Sequence, residues 1–401
     1  MTGTAGAPRL EGDRAVARAA AAAARLWEQS GPAAITFGAV AETAGLAKSL
    51  VSHHFSTREQ LVRDAARLLV AGVQDDLASL SARLDGLAAE LRAPVEISAY
   101  IVEHLVTGPA RSGTALLEFA SLALTEAHYR EIFLQLIAQI GTVFPNGDRL
   151  EREKHLMAFV VGELLAHCPQ RCGPIALAGL RKRLGWFMTA EDTDQARWLS
   201  RLLVVLESGG AVDGDQVPSG VPAGLVWDRS HGPSEPAERR AVIVSAALEV
   251  LAESDAASVT HRKIAERAEV PLAATTYHFA SKMAILEAAY QRIIEVAMAE
   301  SRRLSDIAMG GGERSFQHHI AMMLDFYASD GRRSTLAHFH LALSACRNDG
   351  LAAFAVRAHD TEVELLRASA RQLGVTLDRN LAQAVTSLVG GTLLFRMLGC
   401  G

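Results

Sequence analysis

Two stretches of this chain carry the same pattern of hydroxyls, cations and histidines. The first runs from Thr36 to Phe55 and the second from Thr260 to Phe279, 224 positions later, with no gap inside the match. Each reads as a capped short helix, a turn and a second short helix closed by His-Phe, which is a helix-turn-helix. A helix that enters a DNA major groove must present short side chains or donors at its N-terminal end. Lys48, Ser49 and Leu50 hold that place in the first copy, and Leu272, Ala273 and Ala274 in the second. The first set can donate hydrogen bonds, whereas the second offers apolar contact suited to thymine methyls. None of this is bond-making chemistry. The chain has no nucleophile elbow, phosphate loop, HExxH or dinucleotide-binding fingerprint, so neither an enzyme nor a cofactor is expected. His167, Cys168 and Cys172 are close enough in sequence to suggest a metal. Small apolar side chains at four-residue helical spacing account for them better, and no metal site is expected.

The repeat decides the architecture before local detail does. A chain of 401 residues accommodates two units near 200 residues each. Hydrophobic residues make up 49% and aromatics only 5%. That Ala- and Leu-rich mixture, with few β-branched runs, specifies helices, and the fold class is all-α. The net charge of −5 gives no general attraction to a polyanion, so any DNA contact must come from local basic patches. Four cysteines in so long a chain make no disulfide framework. Met1 to Asp13 lacks the apolar core of a signal peptide. The longest weakly charged run, Leu381 to Phe395, is shorter than the ~20 residues a membrane span needs. A cytoplasmic protein without membrane contact is expected.

The elements that must position the repeated residues follow from breakers and periodicity. Arg14 to Gln29 reads as a helix ended by Gly31-Pro32, and Thr36 caps the next one. Lys48 to His54 forms the second short helix, Phe55 plugs it into the core, and a long helix runs from Arg58 to about Leu84. Further helices are predicted over 96–107, 112–125, 128–143, 149–167, 174–187 and 193–207. Glycines and prolines then interrupt every apolar period, marking a linker. The second unit repeats the first from Arg239 onward. The chain therefore divides into a first head over 9–61, a body over 62–208, a linker over 209–237, a second head over 238–285 and a second body over 286–401.

The motif Ala44-Gly45-Leu46, then Ser52-His53-His54-Phe55 and Arg58, resembles the TetR family of transcriptional regulators. So does Ala268-Glu269-Val270, then Thr276-Tyr277-His278-Phe279 and Ser281-Lys282. The chain thus looks like two TetR-like units in tandem, each with a three-helix head and a helical ligand-binding and dimerisation body. The specific motifs cover about 50 residues of each half. The resemblance implies a double-stranded DNA operator, a lipophilic small-molecule ligand and a repressor released by that ligand. It places DNA contacts on Ser52, His53, His54 and Arg58, and on Thr276, Tyr277, His278 and Lys282, mainly to phosphates. Lys48, Ser49, Thr260, Thr275 and Arg262 join them; a family arginine at the last position can reach a guanine edge. Both heads depart from the pattern. Ser52 and Thr276 replace the usual tyrosine, and Glu269 replaces the turn glycine, which requires a turn without strongly positive φ. These departures and the acidic balance motivate an alternative, a sequestering protein that kept the fold and lost specific DNA binding.

Polar groups amid the apolar stripes of the bodies are the ligand candidates: His104, Glu118 and Glu163, beside Phe119, in the first body, and His338, beside Phe339, in the second. Arg111, His155, His319, Asp325, His340 and Arg396 share this character, while Met322, Met323, Phe326 and Tyr327 read as core. The two halves are expected to pair as an intrachain pseudo-dimer, with self-association beyond that left open. Helices 149–167 and 379–397 should then face one another through Ala158, Gly162, Gly390 and Gly391. Two heads that differ at Lys48-Ser49 against Leu272-Ala273, and at Gly38 against Arg262, imply an asymmetric operator.

Overall fold

The computed structural model describes residues 7–88, 93–108, 111–144, 150–170, 179–189, 198, 201–204, 206, 236–254, 256–308 and 313–399. Every regular element among them is helical. The first run comprises α1 (Ala7–Ser30), α2 (Phe37–Ala44), α3 (Lys48–His54), α4 (Arg58–Asp85), α5 (Pro94–Thr107), α6 (Ser112–Ala123), α7 (Ala127–Val143) and α8 (Leu150–His167). After α9 (Leu180–Thr189) the order repeats. The second run comprises α10 (Pro236–Glu253), α11 (His261–Ala268), α12 (Leu272–His278), α13 (Lys282–Ile307), α14 (Glu313–Ala328), α15 (Arg332–Ala345), α16 (Asp349–Gln372) and α17 (Arg379–Met397). The helix expected over 174–187 is described from residue 179 on. Most of 193–207 and nearly all of the expected linker lie outside the described residues.

Both repeats begin earlier than the apolar pattern suggests, at Ala7 rather than Arg14 and at Pro236 rather than Arg239. Pro8 and Pro236 sit in first turns, where a missing N–H breaks no intrahelical bond. The chain falls into two compact units, Met1–Ala78 and Ser79–Gly401. In the first, Trp27, Val40, Val51, Phe55 and Leu61 form a core with almost no exposure. In the second, the head residues Val250, Leu251, Ile264, Phe279 and Ile285 belong to one cluster with Ala337, Leu341 and Ala355 of the body. The second head therefore shares its core with the helices behind it. His340 of α15 adds a polar tie, with its Nδ1 2.5 Å from the Leu251 carbonyl oxygen.

Helices α8 and α17 pack along their length within the second unit. A Cβ added to Gly162 would lie 1.7 Å from the Ser387 carbonyl oxygen, and one added to Gly391 would lie 1.8 Å from that of Ala158. Only glycine allows this approach. Gly391 and Ser387 follow Gly162 and Ala158, respectively, by the same 229 positions. Each glycine thus rests on the other helix's counterpart residue, as equivalent residues do across a two-fold axis. Gly390, also expected at the contact, has no atom within 4 Å of its would-be Cβ.

A buried polar cluster borders the crossing. Ser387 Oγ donates to Glu163 Oε1 at 2.8 Å, and Arg183 Nε of α9 donates to the same oxygen at 3.0 Å. His167 Nε2 lies 3.1 Å from the other carboxylate oxygen. Burial works against the Glu163 charge, but Arg183 and the bonds from His167 and Arg183 outweigh it and hold the carboxyl down at about 2. His167 is therefore engaged with a carboxylate and an arginine. Cys172, the third residue of the metal pattern, lies outside the described residues.

Candidate functional site

The two heads are built alike. Thr36 Oγ1 accepts from the Ala39 N–H at 3.1 Å, and Thr260 Oγ1 from the Lys263 N–H at 3.2 Å, capping α2 and α11. Each cap contributes ~1 kcal/mol. Helix α2 ends at Gly45 with φ 62° and ψ 42°, and α11 ends at Glu269 with φ 56° and ψ 39°. The expectation that Glu269 avoids a positive φ is therefore corrected. The helix-ending bonds explain it: Val270 N–H reaches the Ala265 carbonyl at 3.1 Å, as Leu46 N–H reaches Ala41 at 2.9 Å. Closing the helix this way needs a left-handed residue whatever its side chain.

The second helices of the two motifs are α3 and α12. Lys48, Ser49, Leu50, Ser52 and His53 are exposed on the first, and Leu272, Ala273, Thr276 and Tyr277 on the second. Tyr277 is 83% exposed, more open than the other exposed large hydrophobic side chains of the heads, Leu50 and Leu272. Its ring meets His278 edge-on, as His53 meets His54. His54 and His278 are half-buried at the helix ends. Ser52 and Thr276 donate back to carbonyls of their own helices, those of Ser49 and Ala273.

Other expected contact residues also bond within the heads. Arg58 donates to the Ile35 and Pro32 carbonyls at 2.8 and 2.7 Å, tying α4 to the turn before α2. Its counterpart Lys282 is half-buried at the start of α13, where Ser281 caps the helix through the Ala284 N–H. Thr275 is fully buried, and its hydroxyl donates to the Leu272 carbonyl at 2.8 Å. Exposed Arg262 lies on α11 and pairs with Glu266 at 3.0 Å. Thr260 is exposed at the cap of that helix.

Behind the second head lies a cavity of about 200 Å³. Its wall includes Tyr290 and Ile294 of α13, Tyr327 of α14, Phe339 of α15, Glu362 of α16 and Ser387 of α17. Gly162 of α8 and Ser387 of α17, which meet at the helix crossing, place that crossing at its edge. Of the six expected ligand residues, His338 and Phe339 line this cavity. His104 instead meets Arg83 at 3.2 Å, Glu118 forms a buried ion pair with Arg347, and Phe119 stacks on Tyr129. Glu163 belongs to the buried cluster and reaches the cavity wall only through Ser387. Asp325 and Arg396 pair with each other at 2.6 Å. Sequence reasoning missed Tyr290, His359 and Glu362, and placed Met323 and Tyr327 in the core; both face the cavity, while Met322 and Phe326 are buried. The helical phase holds the signal, since 323 and 327 share one face and 322 and 326 another.

Two capped helix-turn-helix heads on helical bodies define a regulator of transcription that binds DNA. The family model for bacterial regulatory proteins of the tetR family matches residues 20–65 and again 243–289. The two matches fall on the two heads and fit a chain of two tandem TetR-like units. A search of curated proteins finds no match. Among the described residues, no helix is long and apolar enough to cross a membrane.

Proposed function

We propose that the protein is a single-chain, ligand-released cytoplasmic repressor that reads an asymmetric operator with two unlike heads. The heads span 9–61 and 238–285, and the bodies 62–208 and 286–401. The observation that carries this reading is the difference between the exposed reading surfaces. Lys48 and Ser49 offer donors where Leu272 and Ala273 offer apolar groups, and Arg262 stands where the first head has Gly38. A homodimer must read one half-site twice; a tandem chain is free of that constraint. Ser52, His53, His54 and Lys282 hold phosphates, along with Thr276, Tyr277 and His278, and Arg262 reads a guanine after leaving Glu266. Arg58 and Thr275 serve by setting the geometry of their heads.

The α8–α17 crossing supports an intrachain pseudo-dimer. The cavity supports a route for release, because α13 both forms part of its wall and carries the second head. Two heads on one DNA face must keep a spacing of one helical turn, ~34 Å, or a multiple of it. A ligand that prefers a different setting of α13 lowers operator affinity by that preference.

Footprinting with a base-by-base operator scan tests the reading. Arg262→Ala should relax base preference at one half-site by ~1–3 kcal/mol, and Lys48→Ala at the other. A perfect palindrome weakened alike in both halves would refute the asymmetric operator. Binding with a salt dependence but no sequence preference would instead favour the sequestering protein.

A further inference from the structure

The cavity behind the second head has a charge character as well as a shape. Among the described residues that line it, Glu362 is the one acidic side chain, and no lysine or arginine joins it. The rings of Tyr290, Tyr327 and Phe339 line the same space. Burial, and then the charge of Glu362, hold both phenols above the ordinary tyrosine range, so the carboxylate's field reaches both hydroxyls. His338 Nε2 stands 3.6 Å from Glu362 Oε1. Desolvation holds the other histidine of the wall, His359, below its ordinary value and so keeps it neutral at pH 7.

We propose that this cavity takes a compact lipophilic ammonium ion, its nitrogen beside Glu362 and its apolar part against Tyr290, Tyr327 and Phe339. The inference rests on reading the cavity as the regulator's ligand site. A carboxylate on an apolar, aromatic wall, with its side chain 33% exposed, attracts a cation more strongly than it would in open water, and aromatic rings add their own attraction for positive charge. An anion would sit against Glu362 with no arginine or lysine to offset the repulsion. The volume of about 200 Å³ is somewhat larger than the ~150 Å³ that accepts benzene, which suits one ring plus a substituted nitrogen.

Calorimetry on the full chain without DNA tests this with three probes of similar size. Phenyltrimethylammonium is the cation, tert-butylbenzene its neutral isostere and 3-phenylpropanoate the anion. The cation should bind at least about ten-fold more tightly than the isostere. Glu362→Gln should abolish that preference while leaving the isostere's affinity within about two-fold, which reports an intact cavity. Tyr327→Phe should keep the preference and Tyr327→Leu reduce it. Equal affinity for cation and isostere, tighter binding of the anion, or no binding of the cation at millimolar concentration would overturn the proposal. The wild-type ratio decides even if a variant does not fold. Because DNA is absent, failure here leaves the operator reading intact, and failure to select an operator leaves this ratio intact.

Discussion

Glu269 carries backbone strain that its first-head counterpart, Gly45, does not. A side chain in the left-handed region costs ~1–2 kcal/mol, and replacing it by glycine returns ~0.4–1 kcal/mol of that to unfolded-chain entropy. Glu269→Gly should therefore stabilise the protein by ~0.5 kcal/mol in urea unfolding; a loss of stability would show that the side chain contributes more than the strain. Thr275 is a second informative position. Val51 stands at the same register and is equally buried, so the repeat itself shows that Thr275 faces inward. Thr275→Val should cost about 1 kcal/mol for the lost bond to Leu272 and leave the salt dependence of DNA binding unchanged. Lys282→Ala should flatten that dependence by about one unit of slope. Equal slopes for the two variants would remove Lys282 from the set of phosphate contacts.

At the scale of elements, the helices of both repeats were legible because caps, breakers and apolar periods are local. Thr36 and Thr260 announce their helices within three residues. The α8–α17 pairing was also legible, since small residues recur at matching places in the two halves. The cavity was not. Tyr290, Tyr327 and Glu362 sit on three different helices, and no local pattern brings them together. The Glu163–Arg183–Ser387 cluster escaped for the same reason, as its members come from α8, α9 and α17. The crossing makes the sharpest prediction here. Gly162→Ala sets a methyl against a backbone carbonyl that no rotamer change can move. It should cost about 3 kcal/mol or more, the upper end of overpacking effects. Gly390→Ala meets open space and should stabilise α17 by up to ~1 kcal/mol through helix propensity. Similar midpoints for the two variants in urea would contradict the close packing at Gly162.

For the molecule as a whole, His319, His359 and Glu163 shape the response to acid. Burial lowers His319 from 6.5 to about 4, so the unfolded chain binds the extra proton first as the pH falls. Its contribution is complete above pH 6.5 and is lost on the way down to 4, to the extent of roughly 3 kcal/mol. Glu163, held near 2, adds a contribution that is full above 4.5 and is lost below it. Stability should thus begin to fall near pH 6.5 and fall further below 4.5. His319→Leu should shrink the upper step, to which His359 also contributes, and a wild-type stability flat between pH 7 and 5 would show that neither imidazole is shielded. The same unit contains the glycine crossing, and both of its helices belong to one polypeptide. Their meeting is a unimolecular event, governed by chain length rather than by how many molecules are present. Separate subunits come apart on dilution, so their paired fraction collapses when copies are scarce. In the proposed single-chain regulator pairing survives any dilution, and promoter occupancy should rise in simple proportion to copy number, down to a few molecules per cell.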